Sequence, residues 1–280
     1  MKIAPRPLLL LHDDPVLRER VGRAAQARFE LSIVSGWEEL RDGVSSAPPA
    51  AVVLVDPYYG ALSAGGPSRE LFDLLTAFPS STVIAALDSA PIRYRDIWML
   101  GEWGIAEILQ TDEDRSQLAV QRRLIRARAQ PLRRLLSSES GIPFTGRARA
   151  LMDAAVETVM VGGHPKHLAR TLGFSASTLL RWCDRSQLPS PRRLLVWLRV
   201  LFAAALLDDP GHTVFSVGLA CGYSGDQALR RAIRSVVPLT PSQLREAGAF
   251  ETVSKAFFRE LASLRADAAA GAAGSGSGGA

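Results

Sequence analysis

The chain has 280 residues, 47% of them hydrophobic, and a formal net charge of +5. It is long enough to bury a real core, and two domains are expected. Its longest apolar stretch, residues 194–207, is broken by Arg199 and falls short of the roughly 18 apolar residues that a membrane span needs. The two cysteines, Cys183 and Cys221, have no histidine cluster beside them, which argues against a zinc site and for a reduced, cytoplasmic protein.

Charge is unevenly placed. Residues 1–112 carry 10 Lys/Arg against 15 Asp/Glu, whereas residues 147–245 carry 13 against 6. An acidic front half and a basic rear half point to a polyanion that meets only the rear. A basic surface alone is also what an ordinary solvated face looks like, so the positions of the arginines must decide.

The first five residues and the short apolar run that follows do not make a signal peptide, because acids come too soon. Residues 7–12 form that run and end in Asp13-Asp14. Residues 16–28 place Val16, Leu17, Val21, Ala24 and Ala25 at helical spacing. Residues 29–34 read as a second strand, with a helix near 37–44. Residues 51–55 are apolar and end at Asp56. A loop over 60–67 holds four Gly or Pro. A helix over 70–78, a strand over 82–87, a helix over 92–103 and a strand over 105–109 complete the pattern. Strands covered on both faces read as continuous apolar runs, and these do. Five such units imply an α/β domain over residues 1–112, with a doubly wound, flavodoxin-like parallel sheet.

Residues 113–136 read as a helix rich in arginine (Arg122, Arg123, Arg126, Arg128, Arg133, Arg134), broken at Pro131. Its Leu118, Leu124 and Leu132 could pair two copies of the chain or pack on the chain's own sheet; the second is the more ordinary arrangement. With the Ser- and Gly-containing stretch 137–146 it forms a connecting segment, 113–146. An all-α domain is expected over 147–265. It ends in a helix to about residue 264 with Phe250, Val253, Phe257, Leu261 and Leu264 on one face. The Ala/Gly/Ser-rich residues 266–280 read as a disordered tail.

Two helix-turn-helix patterns lie within residues 166–245. The first runs from His167-Leu168-Ala169 through Gly173-Phe174-Ser175 to Leu179-Leu180-Arg181. The second runs from Val217-Gly218-Leu219-Ala220 through Gly222-Tyr223-Ser224 to Leu229-Arg230-Arg231. Each joins a short helix to a second, arginine-bearing helix through a Gly-containing turn, the layout of a helix presented to the major groove. Ser175 can cap the first such helix, whose outward positions include Ala176, Ser177, Leu180 and Arg181. The second is expected to start near Ser224, exposing Asp226, Gln227, Arg230, Arg231 and Arg234. DNA contacts are expected from Ser175, Ser177, Thr178, Arg181, Ser224, Gln227, Arg230, Arg231 and Arg234. Arg181, Gln227 and Arg230 are the base-reading candidates, since Arg suits guanine and Gln suits adenine. A phosphate contact is as ordinary a role for any single one of these arginines.

With Leu168-Ala169, Gly173, Ser175, Leu179, Arg181, Arg199, Ala220, Gly222-Tyr223, Leu229, Arg231 and Thr240-Pro241-Ser242, residues 147–246 resemble the AraC/XylS-type DNA-binding domain. The resemblance implies that one long helix, residues 191–208, joins the two subdomains. Family members usually have Phe where Leu229 and Ile233 stand, and Gly where Pro238 stands. Two subdomains on one rod should enter neighbouring groove faces about 34 Å apart, giving an asymmetric site of two short boxes. A homodimer, RNA polymerase and a small-molecule or protein effector are candidate partners.

Residues 7–112 resemble a response-regulator receiver domain, now degenerate. The resemblance implies a phosphoacceptor at Asp56 and a magnesium-binding acidic pair after the first strand. That pair falls on His12 and Asp13, or on Asp13 and Asp14 with a one-residue slip. The hydroxyl position after strand four falls on Leu87, with Ser89 nearby. The expected Lys-Pro after strand five is Thr111-Asp112, and no lysine lies between Lys2 and Lys166. Asp56 equally suits a strand-end carboxylate capping a turn, aided by Pro57. The expectation is a bacterial transcriptional regulator, not an enzyme and with no cofactor, that binds specific double-stranded DNA. Its front domain would be a sensor or dimerisation module working without phosphorylation. The alternative is a phosphorylation-controlled regulator using Asp56. No Walker loop, nucleophile elbow or metal cluster is present to suggest an enzyme.

Overall fold

The computed structural model describes residues 6–26, 29–47, 51–61, 66–78, 81–88, 94–127, 132, 146–209 and 212–275. The chain divides into two compact units, Met1–Pro131 with Asp209–Ser216, and Leu132–Asp208 with Val217–Ala280. The expected linker over 137–145, the break at Pro131 and Ser89 lie outside the described residues.

The first unit is an α/β layer structure. Its strands are β1 (Arg6–Leu11), β2 (Phe29–Ile33), β3 (Val52–Val55), β4 (Thr82–Leu87) and β5 (Glu107–Gln110). Helices α1 (Pro15–Ala25), α2 (Trp37–Ser46), α3 (Arg69–Ala77), α4 (Tyr94–Trp103) and α5 (Gln117–Ala127) alternate with them. All pairings are parallel, in the order β2-β1-β3-β4-β5, which is the flavodoxin-like doubly wound arrangement. Side chains alternate across the sheet. Leu8, Leu10, Val52, Leu54 and Ile84 pack with residues of α1 and α5 on one face. Leu9, Leu11, Val53, Val55 and Val83 pack with residues of α2, α3 and α4 on the other.

Helix α5 settles the use of the arginine-rich segment over 117–127. Val120, Leu124 and Ala127 are buried in the sheet's own core while Leu118 faces solvent. Arg123 joins Glu107 and Asp114, both at 3.0 Å.

The regular elements of the second unit, among its described residues, are all helices. Its helices are α6 (Gly146–Met160), α7 (Pro165–Thr171), α8 (Ala176–Arg185), α9 (Pro191–Asp208), α10 (Val214–Ala220, which belongs to it from Val217 on), α11 (Asp226–Arg234), α12 (Pro241–Glu246) and α13 (Ala249–Ser275). α9 is the central rod. Leu194, Leu198, Val200, Leu201, Ala203 and Leu206 are fully buried, because neighbours cover it nearly all round, as an apolar helix requires. α13 continues to Ser275, beyond residue 265, where the sequence suggested a structureless tail. Alanines dominate this stretch, and alanine has the highest helix propensity. Val253, Phe257 and Leu261 of α13 are fully buried.

Candidate nucleic-acid interface

The first helix-turn-helix is α7 and α8. Gly173 takes φ +68° in the turn, a left-handed conformation that favours glycine. Ser175 then caps α8: its hydroxyl accepts from the Thr178 amide at 3.1 Å and lies 3.0 Å from the Ser177 hydroxyl. Leu179 and Cys183 anchor the helix inward. Burial pushes the Cys183 thiol up to about 11, so it is an unreactive core residue. Ser177, Leu180 and Arg181 face solvent, and Thr178 is half-buried. Behind the helix, Trp182 stacks on Phe174 with ring centres 4.5 Å apart, and the Arg147 guanidinium lies 4.7 Å from the Trp182 ring.

The second is α10 and α11. Gly222 takes φ +79° in the turn, and Gly225 takes φ +156° as the residue before α11. Here the sequence expectation is corrected. α11 opens at Asp226 behind a glycine, with no side-chain cap, and the exposed Ser224 lies two residues earlier. The reason is steric: the backbone conformation that Gly225 adopts is one that residues with a Cβ rarely reach. Leu229 and Ile233 are buried, one turn apart. Gln227, Arg231 and Arg234 are exposed, Arg230 is half-buried, and Arg230 Nε lies 3.5 Å from the Asp226 carboxylate. The two helices meet closely, since a Cβ on Gly218 would sit 3.1 Å from the Gly225 carbonyl oxygen.

Several arginines in this unit are structural. Arg199 donates to the Gly163 carbonyl at 2.8 Å, and its guanidinium lies 5.9 Å from the Tyr223 ring. Arg245 donates to the Leu207 carbonyl at 3.0 Å. Arg193, which no sequence motif marks, binds both Glu260 and Ser235. Its signal was a charge inside the first turn of a helix otherwise almost wholly apolar.

The strand ends of the first unit carry different chemistry. Asp56 is half-buried at the end of β3, and its carboxylate accepts from the Tyr58 amide at 2.9 Å, closing its own turn. The Tyr58 hydroxyl reaches Asp96 of α4 at 2.9 Å. Asp14 accepts from the Val16 amide at 2.8 Å and caps α1. Asp13 is exposed and pairs with Arg18 at 3.4 Å. The Arg18 Nε also donates to the His12 carbonyl. His12 Nδ1 accepts from the Asp14 amide at 3.1 Å, which places the imidazole proton on Nε2. Burial holds the His12 pKa below its usual value, although Asp56, Asp14 and Asp13 pull the other way. These groups do not fit the magnesium ion of a working receiver: one carboxylate caps a helix, a second holds an arginine, and a neutral imidazole is a poor ligand for this ion. Among the described residues no group of three or more His, Cys, Asp or Glu is arranged to hold a metal ion. Thr111, at the expected lysine position, donates its amide to the Leu87 carbonyl at 2.9 Å.

Residues 168–247 match the sequence family described as "Helix-turn-helix domain". No curated protein matches the chain. Among solved structures the chain is similar to full-length FixJ from B. japonicum, with 14% identity over 81% of this chain and 95% of that one, at a TM-score of 0.32. The matched stretch contains α8 to α12 and is less than a third of the chain. The same chain carries a doubly wound α/β domain with a five-stranded parallel sheet at its front. Among the described residues no helix is long and apolar enough to cross a membrane.

Proposed function

We propose that the protein is a transcriptional regulator that binds specific double-stranded DNA through α8 and α11. The observation that carries this reading is that both helices pair a buried anchor face with an outward polar face. In α8, Leu179 and Cys183 turn inward while Ser177 and Arg181 face solvent; in α11, Leu229 and Ile233 turn inward while Gln227, Arg231 and Arg234 face solvent. Arg181, Gln227 and Arg230 read bases, and Leu180 offers an apolar contact. Ser177, Thr178, Ser224, Arg231 and Arg234 hold phosphates and set register. The hydroxyl of Ser175 is spent on its cap, so its share in binding is to order the first amides of α8 for a phosphate.

The front domain acts as a phosphorylation-independent sensor or dimerisation module. Support comes from Asp13, Asp14 and His12, which are engaged with Arg18, α1 and a backbone amide, and from the absence of a lysine between Lys2 and Lys166. A cytoplasmic protein that pairs with a second copy and meets RNA polymerase and an effector fits this reading.

The test is the affinity of the full-length chain for duplex genomic fragments as a function of salt. Phosphate contacts make log K fall with log salt at close to one unit per contact. The expected result is a steep slope together with fragments preferred over the rest by about 10³ or more. A steep slope with no preferred fragment reduces the protein to a nonspecific binder.

A further inference from the structure

We infer that the C-terminal helix α13 is a working part of the DNA-reading unit, and that Arg193 and Glu260 are positioning residues for the second recognition helix. This rests on the DNA-binding reading above. The matched family ends at residue 247, so α13 lies outside it.

One guanidinium joins three elements. Arg193, in the first turn of α9, donates from Nε to Glu260 Oε1 at 3.1 Å and from Nη2 to Glu260 Oε2 at 2.7 Å. Its Nη1 donates to the Ser235 carbonyl at 2.6 Å. Ser235 is the residue that ends α11, where a positive charge meets the negative end of the helix dipole. The guanidinium also lies 5.1 Å from the ring of Trp197, one turn further along α9. The planar fork of arginine holds a two-oxygen partner in fixed geometry and leaves another N–H for a third acceptor. The Glu260 carboxyl is partly desolvated, but the Arg193 guanidinium outweighs this and holds its pKa below the usual glutamate value.

The other end of α9 is fastened in the same way. Asp208 accepts from the amides of Ala249 and Phe250, the first two of α13, at 2.7 and 2.9 Å. Between the two fastenings Phe257 packs on Trp197 with ring centres 5.5 Å apart. α13 therefore runs antiparallel along α9 and fixes Glu260 beside Arg193. α11 needs such a hold. It has nine residues and buries only Leu229 and Ile233 deeply, and a reading helix left loose by about an ångström loses its contacts.

The test compares wild type, Glu260→Gln and Arg193→Lys as full-length chains. Glu260→Gln keeps shape and removes charge; Arg193→Lys keeps charge and removes the fork. The DNA probes are a duplex recovered by selection from a random pool, and the same duplex with the half contacted by α11 scrambled. Hydrogen exchange of the peptide over residues 226–235 is read in parallel, without DNA. In both variants exchange over α11 should quicken while that over α8 holds. Affinity for the intact duplex should fall on the order of tenfold, about 1.4 kcal/mol, while affinity for the scrambled one is unchanged. Unchanged α11 exchange, or equal losses on both duplexes, overturns the positioning role. A wild type that binds neither duplex overturns the DNA-binding reading and this inference with it; a wild type that binds both, matched by the variants, overturns this inference alone.

Discussion

Arg230 and Asp226 stand one turn apart on α11, with Nε 3.5 Å from the carboxylate. The pair is partly exposed and adds little to stability. Its consequence is geometric: it orients the one half-buried arginine on that face. Arg230→Ala should cost roughly 1–3 kcal/mol on the preferred site and less on random duplex, measured by titration of both DNAs. An equal loss on both assigns Arg230 to a phosphate. Asp226→Asn should tighten binding to random DNA by removing a negative charge that faces phosphates, and so narrow the gap between specific and random sites.

Asp56 closes its own turn through the Tyr58 amide. Incubation with acetyl phosphate and Mg²⁺ should leave the intact mass unchanged, and Asp56→Asn should bind DNA as the parent does. A phosphate adduct that disappears in Asp56→Asn would restore phosphorylation as the switch.

His12 titrates below its usual value of 6.5 because burial disfavours the imidazolium. The sign follows from linkage: the unfolded chain binds the proton more readily. The stability His12 contributes is fully present above pH 6.5 and is lost as pH falls through its lower folded value. His12→Asn should flatten that part of the stability–pH curve, read by denaturant unfolding. A His12 NMR titration midpoint at or above 6.5 would contradict the buried neutral ring.

Gly218 faces the Gly225 carbonyl so closely that an added Cβ would lie 3.1 Å from its oxygen. That neighbour is backbone and cannot swing aside. Gly218→Ala should therefore destabilise the helical unit by about 1–3 kcal/mol, seen as a lower denaturant midpoint. It should also weaken DNA binding more than unfolding alone explains, because α11 must shift.

The sheet was legible because burial on both faces leaves an unmixed apolar signature, as in Leu8–Leu9–Leu10–Leu11 and Val52–Val53–Leu54–Val55. The helix-turn-helix pairs were legible because their turns need glycine at Gly173 and Gly222 and their anchors need Leu179, Leu229 and Ile233. Edge strand β2 showed less clearly, since Ser32 and Ile33 remain exposed. Other features depend on which of two local partners a side chain takes. Asp14 could equally have faced a metal or an amide, and only the folded loop gives it to Val16. The second helix was expected to start near Ser224, but it opens at Asp226 behind Gly225. The Arg193–Glu260 tie joins residues too far apart in sequence for any local pattern to announce it.

The central claim is that α8 and α11 together read one duplex, and selection from a random duplex pool with the full-length chain tests it most directly. Enrichment is expected of two short conserved boxes whose centres lie about one helical turn, or 10–10.5 base pairs, apart, with Arg181→Ala erasing one box and Arg230→Ala the other. A pool that returns unenriched, or a single box indifferent to both substitutions, would contradict it.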